Sequence, residues 1–418
     1  MRSQRFTILL GSLAVLLAIL ACSIASPAMP TIATFPPAAT AAASTLPASP
    51  VPATAATAAP VVPTATDTSA PPPPPTSTPA PAALPTVTAP SIQSLTMLDA
   101  NNGWAVTDSG VVRTGDGGTT WYNATPSGLN GAPVSPFFLN ASTGWLAVNN
   151  GDPTTGTLYR TSDGGVTWNT AQVPFGGGSL YFIDAMNGWD LVGLNAAMSH
   201  EAVAIFRTSD GGATWTRLLV NDPGVAGYTD SLPLVGDKNG ITALDASHLW
   251  VTGSQPSSDF VYVYISQDGG VSWAHQDLSI PEAYAGAMTG TNQPVFFNGS
   301  AGVLPVLLFA NNNGTDFYVS HDGGQTWSAT TPVAQGGFLA VGSPNDFFVW
   351  DGSTPLYASH DAGASWSTLT PNVNIKANMV SMQFVNATTG WALTSDANSH
   401  RMLYKSADGG ATWTVLIP

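Results

Sequence analysis

One eight-residue pattern, repeated seven times, constrains this 418-residue chain more than any other feature. It reads Ser/Thr, any residue, Asp, Gly or Ala, Gly, any residue, Ser/Thr, Trp. The copies are Thr114–Trp121, Thr161–Trp168, Thr208–Trp215, Ser266–Trp273, Ser320–Trp327, Ser359–Trp366 and Ser406–Trp413. Successive Trp lie 47, 47, 58, 54, 39 and 47 residues apart. One copy would say little, but seven at this spacing mark a repeat architecture. The chemistry suits a tight corner between two strands. The Asp carboxylate accepts N–H groups of its own turn, and the Ser/Thr side chains bond across it. The Gly two residues after the Asp supplies a positive φ, and the Trp buries a large ring as the chain returns. The sixth copy has Ala362 at the middle position, where the others have Gly.

A second signature precedes most copies, its own Trp 17 to 26 residues ahead of the first. It reads Asn102-Gly103-Trp104, Thr143-Gly144-Trp145, Asn187-Gly188-Trp189, His248-Leu249-Trp250 and Thr389-Gly390-Trp391. Short apolar stretches flank both signatures. In the first unit they are 95–98, 104–107, 111–114 and 120–124, separated by Gly and Asn/Asp. That reads as four short strands per unit, without helical periodicity. Seven units of four antiparallel strands predict a seven-bladed β-propeller over residues 91–418, an all-β fold.

The octapeptide resembles the Asp-box, or BNR repeat, of sialidase-like propellers. The longer unit is similar to the repeats of the photosystem II assembly and stability factor family, most closely at Val385–Ala392 followed by Lys405–Trp413. The resemblance implies a box between the third and fourth strands of each blade, facing away from the usual ligand side. Asp116, Trp121, Asp163, Trp168, Asp210, Trp215, Asp268, Trp273, Asp322, Trp327, Asp361, Trp366, Asp408 and Trp413 are then structural residues. A chaperone-like binding role is implied, but this acidic chain lacks the basic patch that role uses in the family. Whether residues near 84–87 add an outer strand is left open.

The segment before the repeats is different in kind. The first 90 residues hold over half of the 34 Pro and none of the 13 Trp. Arg2 and Arg5 precede an apolar run from Phe6 to Ala21, the layout of an export signal and shorter than a spanning helix. The run ends at Ile19-Leu20-Ala21-Cys22, and Cys22 is the only cysteine. This resembles a bacterial lipobox and implies a signal peptide at 1–21, lipidation of Cys22, and anchoring at the outer face of the membrane or cell surface. An ordinary secretory signal with an incidental cysteine is the alternative. Residues 22–90 are the lipidation site and a Pro/Ala/Thr/Ser-rich linker, predicted to be disordered or polyproline-like. Its 68 residues after Cys22 reach about 200 Å at most, at ~3.1 Å per residue.

The formal charge of −15 becomes −17 once Arg2 and Arg5 are removed. So few cations argue against nucleic acid and against electrostatic docking to anionic lipid, leaving the anchor as the membrane contact. A basic partner, a cation or a neutral ligand fits the charge, as does acidity that simply keeps an exported protein soluble. The six His show no metal spacing, and no metal or cofactor is expected. Arg113, Arg160, Arg207 and Lys405 share one repeat position before a box, so they suit scaffolding better than a converged carboxylate clamp. With two glutamates in the chain, sialidase chemistry is disfavoured. A glycosidase using two of the 23 Asp is harder to exclude.

Two insertions, 221–240 and 277–293, account for the longest repeat spacings. With loops at 149–156, 193–202, 253–259, 311–316 and 395–401 they are predicted for the face opposite the boxes, where long loops on a rigid scaffold carry binding. The candidate contacts there are Asp222, Tyr228, Asp230, Lys238, Asp259, Glu282, Tyr284 and Asp316, with Asp152, His200, Glu201, His400 and Arg401 around them. The reading is a monomeric, non-enzymatic binding or assembly module for a protein or glycan at the cell envelope. The alternative is an extracellular glycoside hydrolase or glycan-binding propeller.

Overall fold

A computed structural model describes residues 84–417, apart from 130, 153 and 199. The chain divides into Met1–Thr76 and Ser77–Pro418, and the described residues fall in the second unit. Cys22 and the export-signal reading lie outside them, as does nearly all of the linker.

Each repeat folds into antiparallel strands that follow one another outward in sequence order. The first gives β1 (Thr86–Val87), β2 (Ile92–Met97), β3 (Gly103–Thr107), β4 (Gly110–Thr114) and β5 (Trp121–Asn123). Their order is β1-β5-β4-β3-β2, so the short β1 covers the outer edge. The second, third, sixth and seventh repeats each form a four-stranded sheet in simple order, at 134–173, 179–220, 338–369 and 379–417. The fourth and fifth repeats are joined in one nine-stranded sheet. The join is the strand Met288–Thr291 from the second insertion, which pairs both with Ala301–Phe309 and, through Gly290, with Ser254. Among the described residues the helical element is one 3-10 turn, Glu282–Tyr284.

The core lies between sheets. Seven hydrophobic clusters each draw side chains from two successive repeats. One joins Ile92, Met97, Ala105 and Trp121 to Trp391, Leu393, Leu403 and Ile417, so the last repeat packs on the first. The alternation of strand residues sets this up. Trp145 faces the third repeat while Leu146 faces the first, as a period of two requires. Aromatic rings stack across the joints. Trp145 lies 3.7 Å from Phe182 and Phe348 lies 3.7 Å from Phe384, each pair nearly parallel.

Candidate functional site

The boxes and the turns between first and second strands occupy one face and bond to each other. The N–H of the box's middle residue donates to a carbonyl of the preceding turn in all seven repeats: Gly117 to Asn101, Gly164 to Ser142, Gly211 to Met186, Gly269 to Ser247, Gly323 to Ser300, Ala362 to Asn345 and Gly409 to Thr388. Within the box the Ser/Thr hydroxyl donates to the Asp and accepts the N–H of the second Gly, as in Thr161 with Asp163 and Gly165, both at 2.9 Å. The Asp accepts the Thr167 N–H and hydroxyl at 2.9 and 2.6 Å. These bonds hold the Asp163 carboxyl below the usual range against a burial penalty that pushes it upward. Asp210, Asp322 and Asp361 are drawn down to about 2 in the same way. The carboxylates are committed to their turns.

The middle position of the box also has positive φ, from 71° to 80° in its six Gly and 58° in Ala362, a conformation that a Cβ disfavours. The preceding turn carries a motif of its own. Its Asx side chain accepts two N–H groups, as in Asp99 with Asn101 and Asn102, or Asn386 with Thr388 and Thr389. An Asp or Asn five residues before the second-signature Trp was the legible sign.

The repeated cations tie neighbouring sheets. Arg160 stands over the Trp145 ring at 5.7 Å and donates to the Ala185 carbonyl of the next repeat. Arg113 reaches Ala141 in the same manner, and Arg207 and Lys405 cover Trp189 and Trp391.

Antiparallel order puts the insertions and the second-to-third strand hairpins on the other face. Several stretches expected as loops are strand. Residues 149–156 and 193–202 lie mostly in the hairpins Gly144–Asp152/Thr155–Thr161 and Gly188–Ala197/His200–Thr208, because pairing resumes beyond a register shift in each. The first insertion clamps onto the second hairpin. His200 bridges to Gly236, and the Glu201 N–H donates to the Leu234 carbonyl. Lys238 is buried, its Nζ donating to the carbonyls of Glu201, Leu234 and Gly236 at 2.9, 3.1 and 2.8 Å. Burial pulls its pKa down to about 8, opposed by Glu201 and Asp237. Lys238 therefore holds the insertion from inside. The second insertion is tied by Asp259, which accepts the Gly286 N–H at 2.6 Å, and by Thr291, whose hydroxyl bonds to Gly253 and Tyr262.

The remaining candidates divide by burial. Tyr228, Asp230 and Glu282 are exposed, and Asp222 is half-buried in a turn with Gly224. Tyr284 is buried against Gly314, and Asp316 is fully buried between the fourth and fifth repeats. Asp316 Oδ1 accepts from Phe317 and Thr330 while Oδ2 has no partner, and burial raises its pKa to about 6. Glu282 and Tyr284 do not converge, since the 3-10 turn points one outward and the other inward. Asp190 was not singled out by sequence. It sits fully buried where the second repeat has Leu146, both oxygens lack partners, and burial pushes it up to about 8.

Four recesses lie among the described residues, and none of these four is lined by two carboxylates. One of about 370 Å³ lies among inner strands, with Phe137, Leu139, Tyr181, Ile183, Leu244 and Phe296 in its wall. Among the described residues, no three His, Cys, Asp or Glu side chains gather as metal ligands.

The sequence model of the BNR/Asp-box repeat matches residues 318–329. The structure superposes on the GH74 xyloglucanase from Xanthomonas campestris with a TM-score of 0.53 and 14% identity, covering 80% of this chain and 55% of that one. This chain is a β-propeller carrying BNR/Asp-box repeats. It spans about half the length of that enzyme. Similarity extends to the structure of YCF48 bound to D1 peptide, at 19% identity and TM-score 0.49 over 78% of this chain and 95% of that one. It also extends to the GH74 enzyme of Niastella koreensis, at 15% and 0.48 over 80% and 67%. No curated protein sequence matches the chain.

Proposed function

We propose that the protein is a seven-bladed propeller that binds a protein or polymer without catalysis, at the cell envelope, through the face opposite its boxes. The count of seven takes the nine-stranded sheet as two blades linked by the second insertion. The observation that carries the reading is the build of that face. Both insertions are fastened to neighbouring hairpins by buried anchors, Lys238 and Thr291. Rigid, preorganised surface is what recognition rewards. Capture of envelope components by the full-length protein, lost on charge reversal within 221–240 and 277–293, is the expected result. Equal capture by the reversed protein overturns it.

Cys22 carries the localisation part. Cys22→Ala is expected to move the protein from the membrane fraction to the soluble one, and unchanged fractionation overturns the anchor.

The propeller fold shared with a xyloglucanase favours one second reading, a glycoside hydrolase or glycan binder. Turnover of xyloglucan or chromogenic glycosides by purified protein would replace the binding reading with that one.

A further inference from the structure

Between Gly193 and Asp316 the sequence holds eleven Asp and Glu but three Lys and Arg. Two of the three cations are committed elsewhere, since Arg207 stands over Trp189 beside a box and Lys238 is enclosed by carbonyls. Arg217 is exposed and donates to the Ala226 carbonyl within the first insertion, so a single exposed cation stands among these carboxylates. The carboxylates of Asp230, Asp237, Asp259 and Glu282 are by contrast exposed on the insertion side. Large apolar side chains share that side. Of the nine most exposed in the described residues, Met198, Tyr228, Val235, Met288 and Phe309 lie there.

Strand pairing joins Met198, Val235, Asp237, Met288 and Phe309 into one shelf, and Tyr228, Asp230, Asp259 and Glu282 lie on the same side in the two insertions and the hairpin between them. Met198 sits beside the His200–Gly236 bridge that brings up Val235. Asp237 pairs with Ser254, Ser254 with Gly290, and Met288 with Phe309. Strand spacing makes the step from Asp237 to Gly290 about 10 Å. Thus the cross-sheet pairing by the second insertion, which merges two repeats into one sheet, also makes the shelf continuous.

We infer that this shelf docks a cationic segment that also carries apolar side chains, a Lys/Arg-rich peptide region of a partner protein. Carboxylates steer and orient the basic groups, while Met198, Tyr228, Val235, Met288 and Phe309 supply desolvated contact. A neutral glycan would leave the carboxylates without counter-charge, and an anionic surface would be repelled. The inference rests on the binding reading above and names its partner.

The probe is a short fluorescein-labelled peptide of alternating Lys and Leu, with a Glu/Leu peptide beside it, titrated with the full-length protein and read by anisotropy. Saturable binding of the Lys/Leu peptide, weakening as salt rises, is expected, with none for Glu/Leu. Asp230→Lys combined with Glu282→Lys should weaken it about tenfold or more. Tyr228→Ser with Phe309→Ser should weaken it with less change in salt dependence. Asp108→Lys, on the first repeat, should leave it unchanged. Near-UV circular dichroism reports whether each variant keeps its packing, and the single exposed Glu282→Lys, expected to weaken binding at least threefold, replaces any that does not. No binding of the Lys/Leu peptide, equal binding of the Glu/Leu peptide, or unaltered affinity in the charge-reversed protein overturns the inference. Envelope capture that persists without peptide binding sinks this partner and spares the binding reading. Glycoside turnover sinks the binding reading itself.

Discussion

Asp190 shows how one residue can oppose the scaffold that holds it. Its carboxyl lies in the wall between the second and third repeats, against Gly178, where a Cβ would collide with it. Burial raises its pKa to about 8, so the folded protein keeps a proton that the unfolded chain releases near 3.8. Its contribution is therefore most favourable below pH 4 and is lost as pH rises through 8, by up to about 1.4 kcal/mol per unit. Urea unfolding of Asp190→Leu should lack that slope between pH 5 and pH 8 and show about 1–3 kcal/mol more stability at pH 7. The box carboxylates act in the other window. Their lowered pKa values give stability present above 4 and lost as pH falls through about 2, so acid unfolding should survive the Asp190 change. Ala362 carries a smaller strain, at φ 58° where the other copies have Gly. Ala362→Gly should raise stability by about 0.5–1 kcal/mol in the same assay.

At the scale of the element, a recurring joint sets a Trp against a turn of the next repeat. Trp145 stacks on Phe182 and donates its indole N–H to the Gly211 carbonyl at 2.9 Å. Trp189 does the same to Gly269, and Trp391 to Gly117. Trp145→Ala is expected to cost about 3–5 kcal/mol, read as a lower urea midpoint with an unchanged slope. The two signatures were legible as strand corners, since Asp, Gly and Trp each answer a local demand. Their mutual bonding was not, because the partner carbonyls lie beyond the octapeptide. The fourth and fifth repeats depart most from the pattern. The fifth has Val303 and the sixth Phe348 where the other five have Trp, and an insertion strand ties the fifth sheet to the fourth. Nothing in 277–293 advertises that strand, since Met288–Thr291 is short and half polar.

At the scale of the whole molecule, closure takes no strand exchanged between the ends among the described residues. The last four strands come from the continuous segment 379–417, and Thr86–Val87 pairs at the outer edge of the first sheet. The junction is held by Gln383, whose amide accepts the Met97 N–H at 2.8 Å and donates back to its carbonyl at 2.6 Å. Gln383→Ala leaves a half-buried peptide group unpaired and should cost about 1–3 kcal/mol. Faster amide exchange is expected first in 92–97 and 379–384, and uniform change across all repeats would contradict a local latch.

The sequence by itself determined the repeat, the strand count per unit and the corner chemistry, because each depends on contacts within a few residues. It also located the side carrying the insertions, since strand alternation settles which turns share a face. Tertiary structure decided what those insertions do. Lys238, Tyr284 and Asp316 read as surface contacts in the sequence and are enclosed in the fold. Asp230 and Glu282, of the same residue classes, remain in solvent. Burial depends on which carbonyls, hairpins and neighbouring sheets arrive from elsewhere in the chain, and local pattern carries no record of them.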